Sequence, residues 1–155
     1  MVYQRNMHVD ARIVRIFNTY GPRMSPDDGR VIVDFVVQAL KMEPFTLHGD
    51  GNQTRSFCYV SDMVEGIAKA MFADKTNGEV FNLGNHQEYT INQLLDMVVK
   101  KTKADKNINH SPLPADDPQR RRPDITKAQE ILNWQATVPL EAGLEAMIVY
   151  FKDTL

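Results

Sequence analysis

Apolar residues recur along this chain in two spacings, one suited to strands and one to helices. Ala11–Phe17 (ARIVRIF) is rich in Ile and Val and partly alternates, which predicts a strand ending at Asn18. Val33, Val36, Val37 and Leu40 repeat at helical spacing within Val31–Met42, and Pro44 stops that run. A short strand follows at Phe45–Leu47, then the turn-forming stretch HGDGNQTR, then an extended aromatic segment at Phe57–Val60. Ser61 and Asp62 are placed to open the next helix, whose expected inward stripe is Val64, Ile67, Ala68 and Met71. Asn77-Gly78 reads as a turn before a strand at Glu79–Leu83.

Thr90 and Gln93 form a capping-box pattern ahead of an amphipathic helix carrying Leu94, Leu95, Val98 and Val99. Thr126 and Gln129 repeat the pattern before a short helix ending near Leu132. Pro139 suits the first turn of a last helix with Leu140, Leu144, Met147 or Ile148, and Phe151 inward. Strands alternating with helices predict an α/β chain. Between its last strand and last helices lies an irregular tract, SPLPADDPQRRRPD, rich in proline. Loops of that length in compact domains are commonly functional.

At 155 residues the chain suits one domain. A formal charge of −2 supplies no overall basic field, so composition offers no reason to expect nucleic-acid binding. The single cysteine, Cys58, excludes an intrachain disulfide and thiolate metal clusters, and fits a reducing, cytoplasmic setting. No apolar run reaches the roughly 18–20 residues that span a bilayer, so no membrane role is expected. His8, His48, His86 and His110 are scattered without metal-ligand spacing, so no metal site is expected.

Several residues invite chemistry. Asn18, Thr19 and Tyr20 follow a strand, where open α/β sheets place ligand contacts, although the same residues serve as turn formers. Arg30 stands at a predicted helix start, against the dipole preference, which suits a ligand contact or a solvated side chain. The adjacent pairs Asp27-Asp28 and Asp116-Asp117 face no predicted partner and suit turns. Three consecutive arginines, Arg120 to Arg122, would suit a nucleic-acid patch, but Asp116, Asp117 and Asp124 flank them.

Five blocks, in order, carry a resemblance: RIFNTYGPRM, DDGRVIVDFVVQAL, GDGNQTRSFCYVSDMVEG, FNLGN and DDPQRRRPDITKAQEILNW. Together they resemble the second half of the UDP-glucuronate decarboxylases, within the extended short-chain dehydrogenase/reductase family of NAD-dependent nucleotide-sugar epimerases and dehydratases. The resemblance implies the C-terminal part of a Rossmann-type fold. About 1–25 and 57–85 would contribute to the cofactor-domain sheet, and about 26–56 and 86–155 to a small α/β substrate domain.

It also implies an overall reaction in which NAD oxidises C4 of UDP-glucuronate and the ketone assists loss of carbon dioxide, giving UDP-xylose. Related 4-epimerase and 4,6-dehydratase activities, or a non-catalytic UDP-sugar module, remain alternatives. The family's glycine-rich turn has no match here, and no tyrosine is followed four positions later by lysine. The expectation is therefore a C-terminal fragment without catalytic residues and inactive alone.

Site roles follow from the same resemblance. Thr19 and Arg30 would approach NAD. Arg55, after the GDG loop, and Arg121, in the late RxPD loop, would grip the UDP-sugar diphosphate, with Arg122 the neighbouring alternative to Arg121. Asn18 would contact substrate and Tyr3 the sugar; Tyr59 would orient the ligand or fill the core. Phe35, with Phe45 and Leu47, would line a uracil pocket or form core. A strand edge left open by the missing sheet would favour a homodimer or edge-to-edge association.

Overall fold

The computed structural model describes residues 2–74 and 76–155, the side chains of residues 3–5 excepted. In chain order the elements are α1 (Val2–Met7), β1 (Ile13–Ile16), β2 (Thr19–Tyr20), α2 (Val31–Lys41), β3 (Phe45–His48), β4 (Thr54–Ser56) and β5 (Cys58–Tyr59). There follow α3 (Val60–Phe72), β6 (Val80–Leu83), β7 (Glu88–Thr90), α4 (Ile91–Thr102), β8 (Ile108–Ser111), β9 (Arg120–Arg121), α5 (Thr126–Leu132) and α6 (Leu140–Thr154).

The strands pair in small groups. Three parallel pairs form, β1 with β6, β2 with β5 and β3 with β8, and a three-stranded sheet runs β7-β4-β9. The register of β1 on β6 sets Val14 opposite Phe81 and Ile16 opposite Leu83. Among the described residues β1 has no strand on its other edge, and its Ile13 and Ile16 side chains are 43% and 55% exposed.

Two hydrophobic clusters hold these pieces. The larger joins α2, α4 and α6 around Phe35, Phe45, Leu94, Leu144 and Phe151. Phe35 meets Phe45 edge-on at 5.8 Å, a favoured aromatic geometry. The smaller joins α3, α5 and β6 through Met63, Ala70, Phe81, Leu83, Ala128 and Trp134. Thus α5 and Trp134 pack with the β1-β6 layer, although they lie late in the chain. The α6 backbone comes so close to β2 and β5 at Gly143 that a Cβ would stand 2.2 Å from the Tyr20 hydroxyl. Tyr20 in turn donates to the Leu140 carbonyl at 3.3 Å.

The capping box at Thr90 forms as expected: its side chain accepts from Gln93 N while Gln93 Oε1 accepts from Thr90 N. Three local expectations are corrected. Helix α3 starts at Val60 with no side-chain cap from Ser61, and its inward residues are Asp62, Met63, Gly66 and Ala70. Val64 and Met71 point outward, 60% and 62% exposed. Tertiary partners cause this rotation: Trp134 fills the space that glycine leaves at 66, and the Asp62 carboxylate accepts from Thr137 N, Thr137 Oγ1 and Val138 N. At α5 no capping box forms; Asp124 Oδ1 instead accepts from Thr126 N at 3.0 Å. Pro139 lies one position ahead of α6, as its N-cap.

Candidate functional site

The residues that follow strands converge on one cavity of about 280 Å³. Its walls come from Asn18 and the first residue of β2 (Thr19), the residues just ahead of α2 (Gly29, Arg30), the end of β3 (His48) and the β4 region (Gln53, Arg55, Phe57), with Asp117 and Arg121 from the proline-rich tract. Parallel pairing of β2 on β5 sets Thr19 opposite Cys58, and the Asn18 carbonyl accepts from Cys58 N at 3.0 Å, which brings both beside the Phe57-Cys58 segment.

The tract written as a loop in sequence contains a strand. Thr54 lies opposite Arg120 and Arg55 opposite Arg121 in the parallel β4-β9 ladder. Because residues in register project from the same face, two arginines separated by 66 positions stand side by side. Alternation assigns the neighbours to the other face. There Glu88 receives hydrogen bonds from Arg120 Nε at 2.8 Å and Thr54 Oγ1 at 2.8 Å, and lies 3.6 Å from Arg122. The Arg120 bonds, followed by that from Thr54, hold the Glu88 carboxyl down to about 2. Two of the three arginines are thus drawn to one carboxylate, while Arg121 faces the cavity.

Arg55 is 7% exposed and already has two partners. Its guanidinium donates to the Thr54 carbonyl at 2.8 Å and pairs with Asp117. The reading of Asp116-Asp117 as unpartnered turn residues is corrected here for Asp117, whose partner lies 62 positions away. Arg30 donates to the Thr19 carbonyl at 3.0 Å and pairs with Asp28 at 3.1 Å, with its side chain half in solvent. Gln53, 4% exposed, donates to the His48 carbonyl at 2.8 Å and ties the GDG turn to β3. Gly51 in that turn has φ +74°, and a Cβ there would lie 2.4 Å from the Asn92 side chain.

Of the residues singled out in sequence, Asn18, Thr19, Arg30, Arg55 and Arg121 share this cavity. Phe35 does not: it is wholly buried against Phe45, in the core. Phe45 and Leu47 are core as well. Tyr59 packs edge-on against Tyr20 at 5.5 Å, outside the cavity wall. The Tyr3 side chain lies outside the described residues. Sequence reasoning missed Glu88 and Gln53; their partners are distant or are backbone carbonyls, and no local motif announces either. Cys58 is fully buried, and that burial, followed by the Asp62 charge, pushes its thiol up to about 12.

The cavity wall carries three arginines and one carboxylate. That excess of fixed positive charge, in a cleft with Phe57 and Ile91 as apolar wall, suits an anionic ligand with a flat or apolar portion. No group of three or more His, Cys, Asp or Glu side chains able to hold a metal ion occurs among the described residues. Nor is any described helix long and apolar enough to cross a membrane.

Residues 1–147 match the family model described as GDP-mannose 4,6 dehydratase. The chain is 49% identical over 153 residues to UDP-glucuronic acid decarboxylase 2 of Arabidopsis thaliana, covering 99% of this chain and 34% of that one. Among solved structures, UDP-glucuronic acid 4-epimerase from Bacillus cereus, in complex with UDP-glucuronic acid and NAD, superposes with a TM-score of 0.92. Its identity is 34%, over 99% of this chain and 49% of that one. UDP-glucose 4-epimerase of Thermotoga maritima, with UDP-glucose, gives 0.93 at 33% identity, again over 99% and 49%. The chain therefore spans about a third of that decarboxylase and about half of each epimerase.

Proposed function

Because this chain belongs to the GDP-mannose 4,6 dehydratase family, we propose that its arginine-lined cavity binds the diphosphate of a UDP-sugar within an NAD-dependent UDP-glucuronate decarboxylase. The observation that carries this reading is the pairing of Arg55 with Arg121 across β4 and β9, on one wall of one cavity. Guanidinium groups remain charged and present paired N–H donors, so two of them side by side match the oxygens of linked phosphates. Asp117 holds Arg55 in place and is the group that a phosphate would displace or share. Phe57 offers an apolar wall beside the arginines, and Asn18 offers amide hydrogen bonds at the end of the β1 segment.

Thr19 and Arg30, at the α2 side of the cavity, are this chain's candidates for contact with NAD, and Arg30 retains N–H groups facing solvent. When bound, NAD would supply hydride acceptance and return at the sugar C4. The chain's own contribution is grip: it orients the sugar nucleotide, and Arg55 and Arg121 offset the phosphate charge.

Titration with UDP by calorimetry tests the site. Arg121→Ala removes one charge-assisted contact, worth about 1.5–3 kcal/mol, so affinity should fall roughly ten- to hundredfold. Unchanged affinity would remove Arg121 from the site. A second reading, a 4-epimerase, draws support from the epimerase structures with TM-scores of 0.92 and 0.93. Carbon dioxide release from UDP-glucuronate, against formation of its C4 epimer, would separate the two.

A further inference from the structure

We infer that Glu88 is a positioning residue for the nucleotide-sugar site: by clamping Arg120 and Arg122 on one face of β9, it turns Arg121 toward the cavity on the other. The inference rests on the site reading above and assigns a role to a residue that does not itself line the cavity.

The geometry is that of a short strand whose side chains must alternate. Strand β9 has two residues, Arg120 and Arg121. Its ladder to β4 holds Arg121 in register with Arg55 but leaves little backbone pairing to set its rotation. The additional restraint comes from side chains. Glu88 stands opposite Ser56 on β7, the far neighbour of β4. Its carboxylate reaches over β4 and accepts from Thr54 Oγ1 at 2.8 Å and from Arg120 Nε and Nη2 at 2.8 and 2.5 Å. Arg122 approaches the same carboxylate at 3.6 Å. All three strands are therefore stitched on the face away from the cavity. The ladder sets which face Arg121 takes, and the clamp on Arg120 and Arg122 adds a side-chain restraint that keeps this short strand in that orientation.

The clamp makes a prediction opposite in sign to plain electrostatics. Removing a negative charge near an anion site should tighten anion binding if charge alone mattered. If Glu88 acts by holding the strand, its neutralisation should weaken binding instead. Glu88→Gln in the protein is expected to weaken UDP binding by about fivefold or more, the scale of coupling within one hydrogen-bonded network.

Calorimetric titration with UDP would be run on the unaltered protein, on Glu88→Gln, on Glu88→Asp, on Arg121→Ala and on the Glu88→Gln/Arg121→Ala double variant. Three results are expected. Glu88→Gln is weaker than the unaltered protein, Glu88→Asp recovers part of the loss, and Glu88→Gln adds less than about twofold once Arg121 is gone. Thr54→Val, which removes one donor from the Glu88 clamp without changing any charge, should weaken binding in the same direction if Glu88→Gln proves poorly folded. Equal or tighter UDP binding by folded Glu88→Gln would overturn the inference, as would a loss fully additive with that of Arg121→Ala. Failure of the unaltered protein to bind UDP would instead overturn the site reading, and the inference with it.

Discussion

Asp62 offers a measurement of how the late segment of the chain is held to helix α3. The carboxylate is 4% exposed and accepts three hydrogen bonds, from Thr137 N at 2.9 Å, Val138 N at 2.9 Å and Thr137 Oγ1 at 3.1 Å. The Asp62 carbonyl accepts a fourth from Trp134 Nε1 at 2.9 Å, which Asp62→Ala leaves in place. Hydrogen bonds to a charged acceptor contribute about 1.5–3 kcal/mol each, but they are not additive. Thr137 is exposed and Val138 half-buried, so water recovers part of the loss.

Asp62→Ala should therefore cost about 2–4 kcal/mol. Asp62→Asn should cost much less. Its amide oxygen can still accept from both backbone N–H groups while its NH₂ donates to the Thr137 hydroxyl. What it loses is charge assistance and a favourable charge in the first turn of α3, together about 1–1.5 kcal/mol. Urea unfolding at pH 7, read from the midpoint at constant slope, measures both variants. An Ala variant within about 0.5 kcal/mol of the unaltered protein would refute the reasoning. So would an Asn variant as unstable as Ala, since the bonds would then matter less than the charge.

Two further outcomes follow from packing. Gly143→Ala places a methyl 2.2 Å from the Tyr20 hydroxyl and 2.6 Å from the Tyr59 ring, so despite better helix propensity it should lose about 1–2 kcal/mol in the same urea assay; a stabilised variant would show that α6 can move away. Cys58, its thiol pushed up to about 12 by burial, should react at pH 8 at least about a hundredfold more slowly with a disulfide reagent in the native protein than in denaturing urea. Rapid native labelling would contradict that burial. Because the folded value lies above the ordinary 9.0, the stability linked to this neutral thiol is complete below about pH 9. It declines as pH rises from there toward the folded value.

Local chemistry in the chain was enough to place most elements. Apolar spacing located α2, α4 and α6, and Ile and Val located β1; Thr90 and Gln93 cap α4 as their spacing implies. Each of these depends on residues within a few positions of one another, where periodicity and capping act. The resemblance blocks likewise led to Asn18, Thr19, Arg30, Arg55 and Arg121, which share one cavity.

Which face of α3 turns inward was settled at a distance, because Trp134 and Thr137 claim Gly66 and Asp62 from some 70 positions away and leave Val64 and Met71 outside. For Phe35 the sequence left a base contact or core open, and it is core, since α2 is enclosed by α4 and α6. The proline-rich tract gained a strand only by lying against β4, and that pairing selected Arg121 over its neighbours for the cavity while Glu88 took Arg120 and Arg122. Amphipathic spacing tells a helix that it has an apolar side, and charge tells an arginine that it needs an anion. The partner that satisfies each need is chosen by contacts between segments far apart in the chain, whose energies enter only when the whole is packed.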